Sequence, residues 1–173
     1  MGFSKKTGQL VKYNTKKASE QDIEKILSDW TPGLSEAQGF ALESEISIQG
    51  RPLYIATDNE TARIQAIFDI LPTGTHNKNL KVFFSPDFAS QEGLTPEEVD
   101  ELVSLLIEIF LDMMARSELN DVRALRINSS DRLILTTFRG FAEYLAQNGH
   151  CTVKSYRDWI EVEKLNLFSS SDD

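Results

Sequence analysis

Few side chains in this sequence are suited to acid–base or nucleophilic chemistry: 173 residues hold two histidines and one cysteine. His150 and Cys151 stand side by side, a pairing that brings to mind a thiolate activated by imidazole. A strand running through them turns their side chains to opposite faces, so they cannot share a proton. Our reading is a histidine at a helix end and a buried thiol. His76 lies in a polar stretch, 74–79, read as a loop, and so small a set of His and Cys assembles no zinc site. Asp87, Asp112 and Asp121 lack the spacing of a calcium loop, and no nucleophile elbow marks a serine triad. Glu161 and Glu163, two apart on a strand, share a face and could in principle divide acid and base roles. We read them as alternating charge on an exposed strand, where acids also discourage edge pairing.

The elements that must hold these residues follow from periodicity and caps. A first strand is expected over 9–13. A helix follows, opened by the capping box Ser19-Glu20-Gln21-Asp22, with Ile23, Ile26, Leu27 and Trp30 on one face. It stops near Thr31-Pro32-Gly33. From Phe40 the pattern changes to period two through Ile46 and Ile48, a turn at Gln49-Gly50 and a strand over 53–56. After Asp58-Asn59-Glu60 a strand over 62–70 puts Ala62, Ile64, Ala66, Phe68 and Ile70 on one face, which completes an antiparallel meander. The apolar run 80–84 is expected as a central strand.

Thr95-Pro96-Glu97-Glu98 combines an N-cap, a proline at the first helical position and an acid at the third. Val99, Leu102, Leu105, Leu106, Ile109, Phe110, Met113 and Met114 then recur at helical spacing, the methionines as gap-fillers. Residues 122–127 read as a strand buried on both faces. Asp131 caps a second long helix that packs through Ile134, Phe138, Phe141, Ala142 and Leu145 and stops at Asn148-Gly149. Strands at 152–156 and 159–163 close the chain. A strand, helix, strand passage of this kind implies at least one right-handed parallel crossover.

Composition narrows the function classes. Residues 1–17 carry five lysines and no acid, so the −9 of the whole chain becomes −14 over the rest. A phosphate backbone is repelled by such a surface, which argues against nucleic acid as a partner. No apolar run approaches the length of a membrane span, and a lone Cys151 gives no disulfide. The expectation is a single cytoplasmic domain over 1–173 with no membrane partner, its ends, 1–8 and 168–173, mobile.

The order of elements resembles the GNAT superfamily of acyl-CoA-dependent N-acyltransferases. The likeness is carried most by Phe141-Ala142-Glu143-Tyr144-Leu145-Ala146-Gln147-Asn148-Gly149-His150, similar to that family's helix ending in an aromatic pair and Gly-Phe. Trp159-Ile160-Glu161-Val162-Glu163 is similar to its closing strand. The resemblance implies an α+β fold, a mixed and mostly antiparallel sheet with helices on both faces. It also implies acetyl-CoA or another acyl-CoA as donor, backbone amides near Phe84 polarising the thioester carbonyl, and Tyr144 as the acid for the leaving thiolate; no metal is expected, from the scarcity of His and Cys above. Tyr144 stands one residue earlier before Gly149 than the common pattern has it, a rotation of about 100° on a helix.

In the same family the cofactor diphosphate rests on a loop with Gln91 and Gly93 as its nearest counterparts here. Their spacing differs from the pattern and the second glycine is absent. Glu92, Glu97, Glu98, Asp100 and Glu101 gather where a diphosphate would sit, and they suit a helix start better than an anion. Two functions follow as expectations: transfer of an acyl group from CoA to a small amine, or a non-catalytic module on the same scaffold that holds a protein partner.

Overall fold

The computed structural model describes residues 12–48, 50–88, 95–119, 124–129 and 131–164. In chain order the elements are β1 (Tyr13–Lys17), α1 (Glu20–Trp30), α2 (Glu36–Ile46), β2 (Leu53–Asp58), β3 (Ile64–Asp69), β4 (Leu71–Pro72), β5 (His76–Asn79), β6 (Val82–Phe84), α3 (Pro96–Leu119), β7 (Ala124–Asn128), α4 (Arg132–Gln147), β8 (Cys151–Ser155) and β9 (Trp159–Lys164). Short 3-10 turns occupy Thr31–Gly33 and Pro86–Phe88. The fold class is α+β as expected, but the strands pair as two sheets rather than one. They belong to two compact units, one of Met1–Ile70 with Lys81–Leu105, the other of Leu71–Leu80 with Leu106–Asp173.

The first unit holds a fully antiparallel sheet in the order β1-β2-β3-β6. β1 begins where the expected strand ended, and 9–11 lie outside the described residues. Lys16 and Lys17 on this end strand keep it from pairing outward. β3 is buried along its whole length, so its register is fixed on both faces and not on the single face that alternation suggested. Ala62 is a turn residue at φ 60° and not part of that strand. β6 is the last strand of its sheet, paired only with β3 among the described residues, and half-buried rather than central. Three apolar residues in a row signal burial, not position within a sheet.

The segment read as strand from Phe40 onward is a helix. Ser35 accepts from the Gln38 N–H at 3.2 Å while Gln38 Oε1 accepts from the Ser35 N–H at 2.9 Å, the same reciprocal cap that opens α1. Only Leu42 and Glu45 of α2 are buried. A helix with so narrow a buried stripe has little 3.6-residue signal, and Ile46 and Ile48 imitate alternation at its end.

In the second unit the order is β4-β5-β7-β9-β8. The stretch around His76 taken for a loop is β5, which pairs parallel with β7 from His76↔Ala124 to Asn79↔Ile127. The expected crossover therefore joins β5, not the 80–84 run, to β7. On β7 only Leu125 and Ile127 are buried, while the alternate residues Ala124, Arg126 and Asn128 are half-buried, so one face is core and not both. β9 lies between β7 and β8, which corrects the view of its acids as edge guards.

α3 is the long helix expected. Leu102, Leu105, Leu106, Ile109, Phe110 and Met113 are fully buried, whereas Val99 is exposed. Thr95 Oγ accepts from the Glu98 N–H at 3.2 Å and Glu98 returns a carboxylate to the Thr95 N–H at 3.1 Å. Replacing Thr95 with alanine is expected to cost about 1 kcal/mol of local stability, measured as faster amide exchange through the first turn of α3 and unchanged exchange in β2 and β3. α4 is capped by Asp131, whose Oδ1 accepts from Leu133 and Ile134. It ends before Gly149 at φ 79°, a backbone state glycine enters without a Cβ penalty.

Candidate functional site

The first unit contains an apolar cleft of about 180 Å³. Its floor starts at the end of α1, where Trp30 is 2% exposed and donates its indole N–H to Ile64 O at 3.3 Å. That bond to a buried strand fixes the ring plane. Gly33 then lets the chain turn sharply: a Cβ there would stand 2.6 Å from the Pro86 Cβ. Leu34 follows, and α2 supplies Gln38, Ala41 and Leu42 to the opposite wall. Phe83 and Phe84 on β6, with Phe88 after it, close the cleft, and the Phe84 and Phe88 rings meet edge to face at 6.3 Å. Leu42 and Phe88 are buried, while Gln38 and Ala41 are exposed and form a wet mouth.

β3 positions the β6 end of this cleft. The Ser85 N–H donates to Gln65 O at 2.9 Å and Lys81 O accepts from the Asp69 N–H at 3.3 Å. Strand alternation then turns the N–H and C=O of Phe83 toward β3 and those of Phe84 away from it. Among the described residues Phe84 thus carries a backbone N–H on the side of β6 turned away from β3, in the same unit as the cleft. Ser85 Oγ donates to Gln65 Oε1, and Gln65 Nε2 donates to Asp87 Oδ2 at 3.2 Å. Arg63 approaches the other Asp87 oxygen at 3.4 Å, so the carboxylate is spent within the fold.

The N-terminus of α3 does not match an anion cradle. Pro96 has no N–H, the Glu98 N–H is taken by Thr95 Oγ, and the Val99 N–H donates to Thr95 O. Glu101 faces Lys12 at 3.7 Å. Among the described residues few donors remain there for a phosphate, and Glu97 and Asp100 stand exposed on the same turn. Gln91, Gly93 and Glu92 lie outside the described residues. The Tyr13 hydroxyl is pushed well above its ordinary range by burial, then by the charges of Glu101 and Asp58.

In the second unit Tyr144 is 59% exposed on α4, its ring stacked on Phe141 at 6.2 Å. Cys151 is buried with its thiol directed at Ala142 O at 3.6 Å, and burial raises its pKa. His150 is exposed and precedes β8, which begins at Cys151, so no strand runs through both; the pair is separated by the burial of the thiol and the exposure of the imidazole. Glu161 binds Arg126 at 2.8 Å, and Arg126 in turn lies over the Trp159 ring, which stacks on Tyr156 at 4.0 Å. This ion pair gives Glu161 a structural task. His76 Nδ1 is 3.1 Å from Thr73 Oγ1 and 3.0 Å from Thr75 Oγ1, and its pKa is lowered by burial, then by Arg126. Among the described residues no three potential metal ligands come together, and no helix is long and apolar enough to cross a membrane.

Sequence reasoning named Phe84 but not Trp30, Gln38 or Phe88 as its neighbours. The one available signal was the Ser35-x-x-Gln38 cap, which would have located α2 and with it the mouth of the cleft.

No family model matches the chain, and no curated protein sequence does. Solved structures do. A PaiA N-acetyltransferase from Thermoplasma acidophilum in complex with coenzyme A matches at 13% identity and TM-score 0.48, over 90% of this chain and 100% of that one. The N-acetyltransferase PseH of Campylobacter jejuni matches at 15% identity and TM-score 0.42, over 88% and 96%. An acetyltransferase of the GNAT family from Staphylococcus aureus Mu50 matches at 9% identity and TM-score 0.43, over 87% and 98%.

Proposed function

We propose that this chain is a divergent acyltransferase-like domain that passes an acyl group from a thioester to an amine at the outer edge of β6. The observation that supports it is the Phe84 N–H turned away from β3 beside an aromatic cleft of the same unit. A backbone donor held by a strand costs no reorganisation when charge develops on a carbonyl oxygen. The amine attacks the carbonyl carbon, the C–N bond forms as the C–S bond breaks, and the departing thiolate takes up the proton that the amine loses.

The usual donor of such reactions is acyl-CoA, and the described start of α3 does not fit its diphosphate. Calorimetric titration is therefore expected to give acetyl-CoA less than about a tenfold advantage over acetyl-pantetheine, which lacks the nucleotide, a difference below about 1.4 kcal/mol. Absence of heat from both at millimolar concentration would rule out acyl transfer. The second reading, a non-catalytic module that holds another protein, is favoured by the spent donors at Thr95 and Glu98. It is also favoured by Phe40, 73% exposed on α2.

A further inference from the structure

We infer that the cleft under α2 takes an apolar group the size of a benzene ring, aryl or branched alkyl, carried on a molecule that presents an oxygen acceptor to Gln38. In calling that molecule a substrate the inference rests on the acyl-transfer reading; as a binding site it stands by itself. Three observations carry it.

The first is size. A cavity of roughly 150 Å³ lined by apolar side chains accepts benzene, and this cleft holds about 180 Å³. An acetyl methyl would leave most of it empty, whereas a body of about six to eight carbons fills it. The second is lining. Trp30, Leu34, Leu42, Phe83, Phe84 and Phe88 present ring and methyl surface, and the one polar group of the floor, the Trp30 N–H, is spent on Ile64 O.

The third is the single polar side chain in the lining. Gln38 Oε1 is occupied by the Ser35 N–H at 2.9 Å, which leaves Nε2 as the donor at the mouth. An amide nitrogen pairs with a carbonyl or carboxylate oxygen and gives nothing to an ammonium. The occupant is thus an apolar body with an oxygen at one end. The oxygen could belong to the acyl donor or to an amino-acid-like acceptor, and the two arms of the experiment separate these sources.

The test follows the indole ¹H–¹⁵N signal of Trp30 in a Trp159→Phe background. One arm compares phenylacetyl-pantetheine with acetyl-pantetheine, the other phenylalanine with alanine. In at least one arm the aryl member is expected to shift the signal saturably and to bind at least about tenfold tighter than its methyl counterpart. Gln38→Glu keeps the oxygen that caps Ser35 but replaces the donor with a carboxylate. It is expected to weaken the aryl ligand about tenfold or more while the Ser35 amide shift stays in place. Ala41→Phe, at an exposed helix position, is expected to fill the cleft and remove the response. Equal affinities for aryl and methyl members in both arms, or no saturable shift in either, would overturn the inference. Saturable aryl binding without any amide product would uphold the site and refute acyl transfer.

Discussion

Arg51→Ala is expected to lower the stability of the first unit by about 3–5 kcal/mol, because it strips the guanidinium shared by two buried carboxylates. Arg51 Nη1 contacts Glu45 Oε1 and lies 2.8 Å from Asp69 Oδ2, with side-chain exposures of 16% for Arg51, 10% for Glu45 and none for Asp69. Asp69 Oδ1 also accepts from the Lys81 N–H at 3.1 Å. The three side chains join the end of α2 to the end of β3. Since Leu42 is the only apolar residue buried on α2, this ion network has more to hold than on a helix with a full apolar stripe.

The effect depends on pH with a definite sign. The Glu45 carboxyl is raised above its ordinary 4.5 by burial first, then by its hydrogen bond with Asp69, while Arg51 works in the opposite direction. A carboxyl with a raised folded value stabilises the fold fully below about 4.5 and loses that contribution as pH climbs through the raised value. Removing Arg51 raises Glu45 further, so the loss in Arg51→Ala grows from acid toward neutral pH. Urea unfolding from pH 4 to 8, followed by Trp30 fluorescence and α2 amide exchange, reads both the size and the slope. A variant as stable as the parent at neutral pH would show that water already reaches the cluster. Glu45→Gln, which keeps a donor for Asp69 and removes the titration, is expected to flatten the slope.

The other large effect lies in the second unit. Phe138 is fully buried on α4, 5.9 Å from the Phe110 ring, which meets Phe141 edge-on at 5.5 Å. Phe138→Ala is expected to cost about 3–5 kcal/mol, the lost transfer energy plus the void left among side chains that relax only in part. Phe138→Leu keeps most of the volume and is expected to cost less than about 1.5 kcal/mol. Amide exchange in α4 and β8 is the appropriate probe, with the Tyr144 ring signals as a local reporter through the Phe141 stack. Equal losses from both variants would mean that ring shape, not volume, sets the packing.

Much of this architecture can be read from the sequence wherever two local signals agree. α3 and α4 each combine a cap with a wide apolar stripe, and α1 combines Ser19-x-x-Asp22 with Ile26 and Trp30. α2 shows where one signal is not enough: its cap is as good as that of α1, but its buried face is a single leucine and an ion-paired acid. β5 fails for the opposite reason. His76-Asn77-Lys78-Asn79 has strand alternation, yet the buried members are asparagines. Asn77 reaches Ser117 Oγ at 3.3 Å, and its Oδ1 has no partner among the described residues. A buried polar face is invisible to any rule that equates burial with apolarity. The site was half legible for a related reason. The family resemblance drew attention to Phe84, but Trp30, Gln38 and Phe88 join it in lining the cleft only after the chain has turned back on itself.

The close approach of Gly33 to Pro86 has a consequence for how this sequence can drift. With 2.6 Å between the proline Cβ and the place a first side-chain carbon would take, bulk at one position is available only if it is surrendered at the other. The two sites should therefore change as a pair in any lineage that retains the cleft, with small residues trading places across it. A lone substitution at 33 would displace the turn that carries Phe88 and reshape what the cleft admits, without any change to the residues that line it.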